Sequence, residues 1–312
     1  MSIDPTLIEL SPKPHGRAFF CAWGAAFLLL TVAWFPFADQ FLRFKVPFSF
    51  TTGEDNVVTL TRAMRTPNMK VAIVGSSLAS RLDANLFKQP GVGNLSVGGG
   101  SAMTGLELLA QMKQPPQVVL VEINIMDRRM DAEWKNQATG AADSRLGAIM
   151  QGLIKPIRYL LSKPVFAFIP PGEQRAWWTA KRSQDLAKEV ATYDIDNVVA
   201  EGVRSWDLRS SWELAENNAK RIQQLTAILE SRGAKVYLMY LPMVAAYDGH
   251  AYARRNREIA AGNDAFQCPH CLDIRHLVDV TRLRWLDGVH LDDRSALLVV
   301  DVLEAKLSSD IK

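Results

Sequence analysis

The chain has 312 residues, and 36 Lys and Arg against 33 Asp and Glu leave a formal net charge of +3. That balance gives no electrostatic footing for nucleic acid, and 19 Gly with 15 Pro is too ordinary for a collagen-like or broadly disordered chain. With 48% hydrophobic residues, the chain can bury a substantial core as one large domain or two small ones.

In chain order, the first feature is Ala18 to Ala38, an uncharged run in which Thr31 is the only conventional polar side chain. A helix needs roughly 20 such residues to cross a bilayer. Lys13 and Arg17 precede the run and favour an inside N-terminus, although Arg43 and Lys45 follow it. A buried core helix and a cleaved signal peptide are the rival readings. The length of the run and its bulky end at Trp34, Phe35 and Phe37 favour a retained anchor. The expected layout is a cytoplasmic tail (1–17), a transmembrane anchor (18–38) and a connector with short extended pieces (39–68). A single domain (69–312) then lies in a bacterial periplasm, tethered to the inner membrane.

Lys70 to Val74 is a short β-branched run that stops at Gly75, which suits a buried parallel strand. Leu78 to Phe87 reads as a short helix, Gly91 to Gly105 as glycine-rich loop, and Leu106 to Met112 as helix. Gln117 to Glu122 is the second strand. From about 128 to 210 the pattern is irregular, with Pro156, Pro164, Pro170-Pro171-Gly172 and a Trp177-Trp178 pair, and it reads as an insertion over the sheet. Asn217 to Ser231 carries apolar residues at helical spacing and is followed by Gly233, where a C-cap glycine belongs. Lys235 to Leu241 is the third strand, ended by Pro242. Leu291 to Leu307 is the closing helix, with Asp292 or Asp293 as N-cap. Strands separated by helices predict an α/β fold, a mainly parallel sheet covered on both faces.

The chemistry-bearing residues lie at two places along this pattern. Val74-Gly-Ser-Ser77 leaves the first strand at its carboxyl end, where open α/β sheets bind ligands. Asp287-Gly-Val-His290 lies just ahead of the last helix. A serine nucleophile needs a base, and the base needs an orienting acceptor. His290 suits the first task toward Ser77, and Asp287 the second. A structural histidine and a turn-forming aspartate are the bland alternatives. Cys268-Pro-His-Cys271 is most simply a local disulfide in an oxidising compartment. A redox dithiol needs the first cysteine at a helix N-terminus, and zinc needs two further ligands. No metal or cofactor is expected.

Together these segments resemble the SGNH or GDSL hydrolase superfamily, over most of residues 69 to 312. Val74-Gly-Ser-Ser-Leu78 matches its first block, with Ser77 on the nucleophile and Ser76 in place of aspartate. Asn94-Leu-Ser-Val-Gly-Gly99-Gly-Ser matches the loop whose glycine N–H helps form the oxyanion hole, with Gly98 a near rival to Gly99. Asp287-Gly-Val-His290 matches the last block. The third block departs: Met126 falls where the family carries asparagine, and Asn124, two residues earlier, is the substitute donor. The resemblance implies a flavodoxin-like three-layer sandwich and a serine O-acyltransferase or esterase with catalytic Ser77, Asp287 and His290. Its oxyanion hole would comprise Ser77, Gly99 and Asn124. The Gly-Ser-Ser form is similar to membrane-anchored envelope members, such as D-alanyl-transfer and alginate O-acetylation proteins. That likeness implies O-acetyl transfer to or from an envelope polysaccharide or other acylated glycan, beside a polytopic membrane-bound O-acyltransferase partner. Met126 and the altered first block support an alternative, a non-catalytic glycan-binding or scaffolding component of a polysaccharide complex.

Overall fold

The computed structural model describes residues 21, 23–30, 32, 52–66, 68–143, 171–208, 212–263, 265–308 and 310. The β-branched runs identified from sequence form the centre of one parallel sheet. Strand β1 (Val71–Val74) is wholly buried and pairs with β2 (Val92–Asn94) on one side and β3 (Val118–Glu122) on the other. Strand β4 (Lys235–Tyr240) pairs with β3, and β5 (Cys271–Asp273) closes the edge. The order β2-β1-β3-β4-β5 reverses direction beside β1, creating the switch-point crevice of a doubly wound sheet.

Helices cover both faces because neighbouring side chains of a strand point to opposite sides. Val236 and Leu238 of β4 face Ile222 of α7 (Glu213–Ser231) across a cavity, whereas Tyr237 donates from its hydroxyl to Asp310, beyond α10 (Asp293–Leu307). The remaining helices are α1 (Thr52–Met64), α2 (Ser77–Ser80), α3 (Ala102–Gln111), α4 (Ala132–Asp143), α5 (Pro171–Ala187), α6 (Asp196–Asp207), α8 (Ala245–Asp248) and α9 (Ala251–Ala261). Asp292 caps α10, its carboxylate accepting from Ser295 N at 2.7 Å.

Local structure differs from the expectation at three places. Thr52–Met64 is a helix, not extended connector, and buries Val57, Leu60 and Ala63 against the sheet domain. The glycine-rich loop contains β2, whose three residues are too few to show a period. Leu78–Phe87 is not one helix: α2 ends at Ser80, and Asp83 caps a separate 3₁₀ turn at Ala84–Leu86. Within the insertion α4, α5 and α6 are helical; residues 144–170 and the side chains of the Trp177-Trp178 pair lie outside the described residues.

The N-terminal expectation requires correction. Within 18–38, Cys21, 23–30 and Val32 are helical and exposed, and the rest of the run, with tail 1–17, lies outside the described residues. Among the described residues no helix is long and apolar enough to cross a membrane. This overturns the transmembrane helix placed ahead of the α/β fold, and with it the single-pass inner-membrane topology and the periplasmic placement of the domain. The uninterrupted apolar composition of the run suggested a span, but composition alone does not establish a helix of sufficient length.

Candidate functional site

At the carboxyl end of β1 the chain must turn sharply into α2. Gly75 permits this, because a Cβ there would lie 2.7 Å from both the Ala79 and Glu122 Cβ atoms. Ser76 is the N-cap, extended at φ −88° and ψ −165°, and its Oγ accepts from Leu78 N at 3.3 Å. Gly75, Ser76, Leu78 and Ala79 are buried, but Ser77 is only half-buried. The turn therefore leaves Ser77 partly accessible and keeps its neighbours in the core.

The second segment is a tight loop ahead of α10. Trp285 bridges Leu291, and Leu286 N donates to His290 O at 2.8 Å. Gly288 adopts φ +91°, and a Cβ there would come within 2.6 Å of Val199 and 2.8 Å of Tyr247. The insertion thus packs on this loop through α6. Inside it, Asp287 Oδ1 accepts from His290 N at 2.9 Å and Val289 N at 3.2 Å, while Oδ2 lies 2.6 Å from His290 Nδ1. Burial pushes the Asp287 carboxyl up, but the hydrogen bonds from the His290 ring and backbone outweigh it and hold the group down at about 2. An ionised Asp287 assigns the ring proton to Nδ1, which leaves Nε2 as an acceptor.

The serine and histidine segments are tied together. Arg81, one turn beyond Ser77, donates from Nε to Leu291 O at 2.8 Å and from Nη2 to Asp293 Oδ1 at 2.8 Å. No hydrogen bond joins Ser77 Oγ to His290 Nε2 among the described residues; the paired groups are Asp287 and His290.

The glycine loop lies beside the serine turn. Gly99 adopts φ +74°, where nothing would touch a Cβ, so backbone conformation is what calls for glycine there. Asn124 is fully buried. Its Nδ2 donates to Leu241 O at 2.7 Å and its Oδ1 accepts from Leu241 N at 2.8 Å. Its carboxamide bridges the ends of β3 and β4. Met126 is buried and lines an apolar cavity of about 330 Å³ between α7 and the sheet, with Ile123, Ile222 and Leu238. Cys268 and Cys271 are joined in a disulfide at the start of β5, whose first residue is Cys271. Among the described residues no group of three His, Cys, Asp or Glu side chains is arranged to hold a metal ion.

No protein-family model matches the chain, and no curated protein matches it. Membership of the SGNH or GDSL superfamily, in its anchored envelope acyltransferase or esterase form, is therefore not sustained. The resemblance rested on three short blocks, and Gly-Ser-Ser and Asp-x-x-His are short enough to arise at strand exits and turns in unrelated chains. The placement in an O-acetylation system of the cell envelope and at a membrane rested on that resemblance or on the anchor, and it falls with them.

Two residues at the site were not singled out from sequence. Glu122 ends an otherwise apolar strand, and its Oε2 accepts from Ser76 N at 2.7 Å. Its carboxyl is buried, and that burial raises its pKa against the backbone N–H groups of Ser76, Asn124 and Ile125, which favour the charged form. Asn56 of α1 makes a reciprocal pair with Gly98: Nδ2 donates to Gly98 O at 2.7 Å, and Gly98 N donates to Oδ1 at 2.8 Å. A charged residue within an apolar strand was the available signal for Glu122; Asn56 left none.

Proposed function

We propose that the protein is a serine-dependent acyl-transfer enzyme acting on an O-acyl ester, with water or a hydroxyl compound such as a sugar as the acceptor. The observation that carries this reading is the 2.6 Å Asp287–His290 pair, tied through Arg81 to the half-buried serine at the end of β1.

Asp287 holds the imidazole with Nδ1 protonated, so that Nε2 takes the proton from Ser77 Oγ. The alkoxide attacks the ester carbonyl, and the backbone N–H groups of Ser77 and Gly99 donate to the oxyanion. Collapse breaks the bond to the alcohol, which leaves with the proton from His290. In the second half His290 deprotonates water or the acceptor hydroxyl, which attacks the acyl-serine and releases Ser77. The Asn124 carboxamide, fully buried and bonded to Leu241 through both its oxygen and its nitrogen, is left out of this scheme. With two backbone donors in place of three, a slow enzyme is expected, because one lost oxyanion donor lowers the rate by about 10²–10³.

The test is incubation with an activated acetyl ester followed by intact mass and peptide mapping. A single acetyl group on Ser77, absent in Ser77→Ala, supports the reading. Equal labelling and turnover in the variant would sink it. A wild-type chain that is folded and never labelled favours the non-catalytic alternative, a glycan-binding or scaffolding component.

A further inference from the structure

Two buried polar side chains outside the proposed reaction converge on the backbone of the site. Glu122 is 1% exposed and Asn56 5% exposed, and neither neighbours the serine or the glycine loop in sequence. Among the described residues Glu122 Oε1 has no hydrogen-bond partner, so the carboxyl is not there to complete a satisfied ion network. Burying it carries a penalty that its bond to Ser76 N offsets in part.

What the two side chains hold follows from peptide planarity. In a trans peptide the C=O and N–H point in opposite directions, and the described chain has no cis peptide bond. Asn56 Nδ2 holds Gly98 O, which fixes the plane whose other end is the Gly99 N–H. Its Oδ1 holds Gly98 N, so the preceding plane is fixed as well. On the serine side, Val97 N donates to Gly75 O at 3.0 Å and Glu122 accepts from Ser76 N. The Gly75–Ser76 peptide is thereby gripped at both ends. Ser80 N then donates to Ser76 O at 3.1 Å, which sets the direction of the Ser77 N–H. The Val97 bond also ties the serine turn to the glycine loop.

We propose that Glu122 and Asn56 are positioning residues that pre-aim the Ser77 and Gly99 backbone N–H groups at the ester oxyanion. The inference rests on the serine acyl-transfer reading. It explains how a site whose Asn124 is committed elsewhere keeps two donors rigidly placed. Rigid placement matters because a displacement of about 1 Å can lower a rate by about 10²-fold.

The experiment measures kcat and KM for p-nitrophenyl acetate, Ser77 acetylation and thermal unfolding in the full chain. Its variants are Glu122→Ala, Glu122→Gln, Asn56→Ala and Ser77→Ala. Glu122→Ala leaves Ser76 N without its acceptor, and kcat is expected to fall about 10²-fold with KM within about twofold. Glu122→Gln keeps an acceptor oxygen there and is expected to restore kcat to within about threefold of wild type, even if Glu122→Ala unfolds. Asn56→Ala is expected to lower kcat like Glu122→Ala. A purely structural role would shift unfolding in these variants and leave kcat per folded molecule unchanged, and that result overturns the proposal while Ser77 still labels. Loss of kcat in Glu122→Gln equal to that in Glu122→Ala also overturns it. If wild-type Ser77 is never acetylated, the acyl-transfer reading and this inference fail together.

Discussion

Two polar clusters flank the carboxyl ends of the strands, and they are built differently. Around Tyr240 and the loop after β4, every charge has a partner. Tyr240 OH donates to Asp248 Oδ1 at 2.9 Å, Arg257 Nη1 donates to Tyr240 OH at 2.9 Å, and Arg275 Nη1 reaches Asp248 Oδ2 at 2.9 Å. Both guanidinium groups also lie over the Tyr240 ring, at 5.1 and 4.7 Å. Around Ser77 the accounting is incomplete. Glu122 Oε1, Ser96 Oγ and Ser101 Oγ are buried without a partner among the described residues. A satisfied network rigidifies a fold, whereas under-satisfied buried groups destabilise it and persist where something else requires them. The Tyr240 cluster reads as architecture. The Ser77 cluster is less completely satisfied, and under the proposed function its polar groups serve the reaction.

The sharpest way to break that contrast is to remove one member from each side. His290→Ala is expected to abolish acyl transfer, with a fall of about 10⁴-fold or more in kcat, because the serine loses its base. Stability should change by less than about 1 kcal/mol, since the ring is partly exposed and its main bond is to Asp287. Asp248→Ala is expected to do the reverse. It removes one carboxylate partner from Arg257 and from Arg275 and the acceptor of the buried Tyr240 hydroxyl, and urea unfolding should show a loss of about 3 kcal/mol. Turnover per folded molecule should stay at the wild-type level. If Asp248→Ala lowers kcat as His290→Ala does, the division between the clusters is false.

The disulfide sharpens the architectural side. Cys268–Cys271 closes a very short loop, so loop-closure entropy gives it a stabilisation of about 2 kcal/mol. Unfolding of the Cys268→Ser and Cys271→Ser double variant should show that loss. Acetylation of Ser77 should be unchanged, because the bridge anchors only the edge strand β5.

These clusters also show what could be read along the chain. Strands β1, β3 and β4 were legible because buried parallel strands are continuous apolar runs that local composition reveals. β2 and β5 were not, since each has three residues and borrows its strand character from a neighbour. Ser77, Asp287 and His290 were legible because a strand exit and a short Asp-to-His spacing are local features. Glu122 and Asn56 act on Ser76 and Gly98 across 46 and 42 residues, a relation that only the folded sheet creates. The surroundings of Asn124 were hidden for the same reason: its amide type suited an oxyanion donor, and only the fold places Leu241 against it. The apolar run at 18–38 shows the opposite failure, where strong local composition suggested more structure than it establishes.

The smallest expected effect lies on the pair the two readings share, Asp287 with His290. The carboxyl titrates at about 2 in the folded chain against 3.8 as its ordinary value. A depressed folded value stabilises the native state above pH 3.8, and that contribution is lost as pH falls from there toward about 2. Because the Asp287 side chain is 37% exposed, solvent screening reduces the contribution to roughly 1 kcal/mol. Urea unfolding at pH 5 and pH 2.5 should therefore show Asp287→Asn losing about 1 kcal/mol less than wild type on acidification. Identical acid sensitivity in both chains would mean the carboxylate gains nothing from the His290 ring. Asp287 would then be a turn residue, and the Ser77 side of the comparison would lose the member that orients its base.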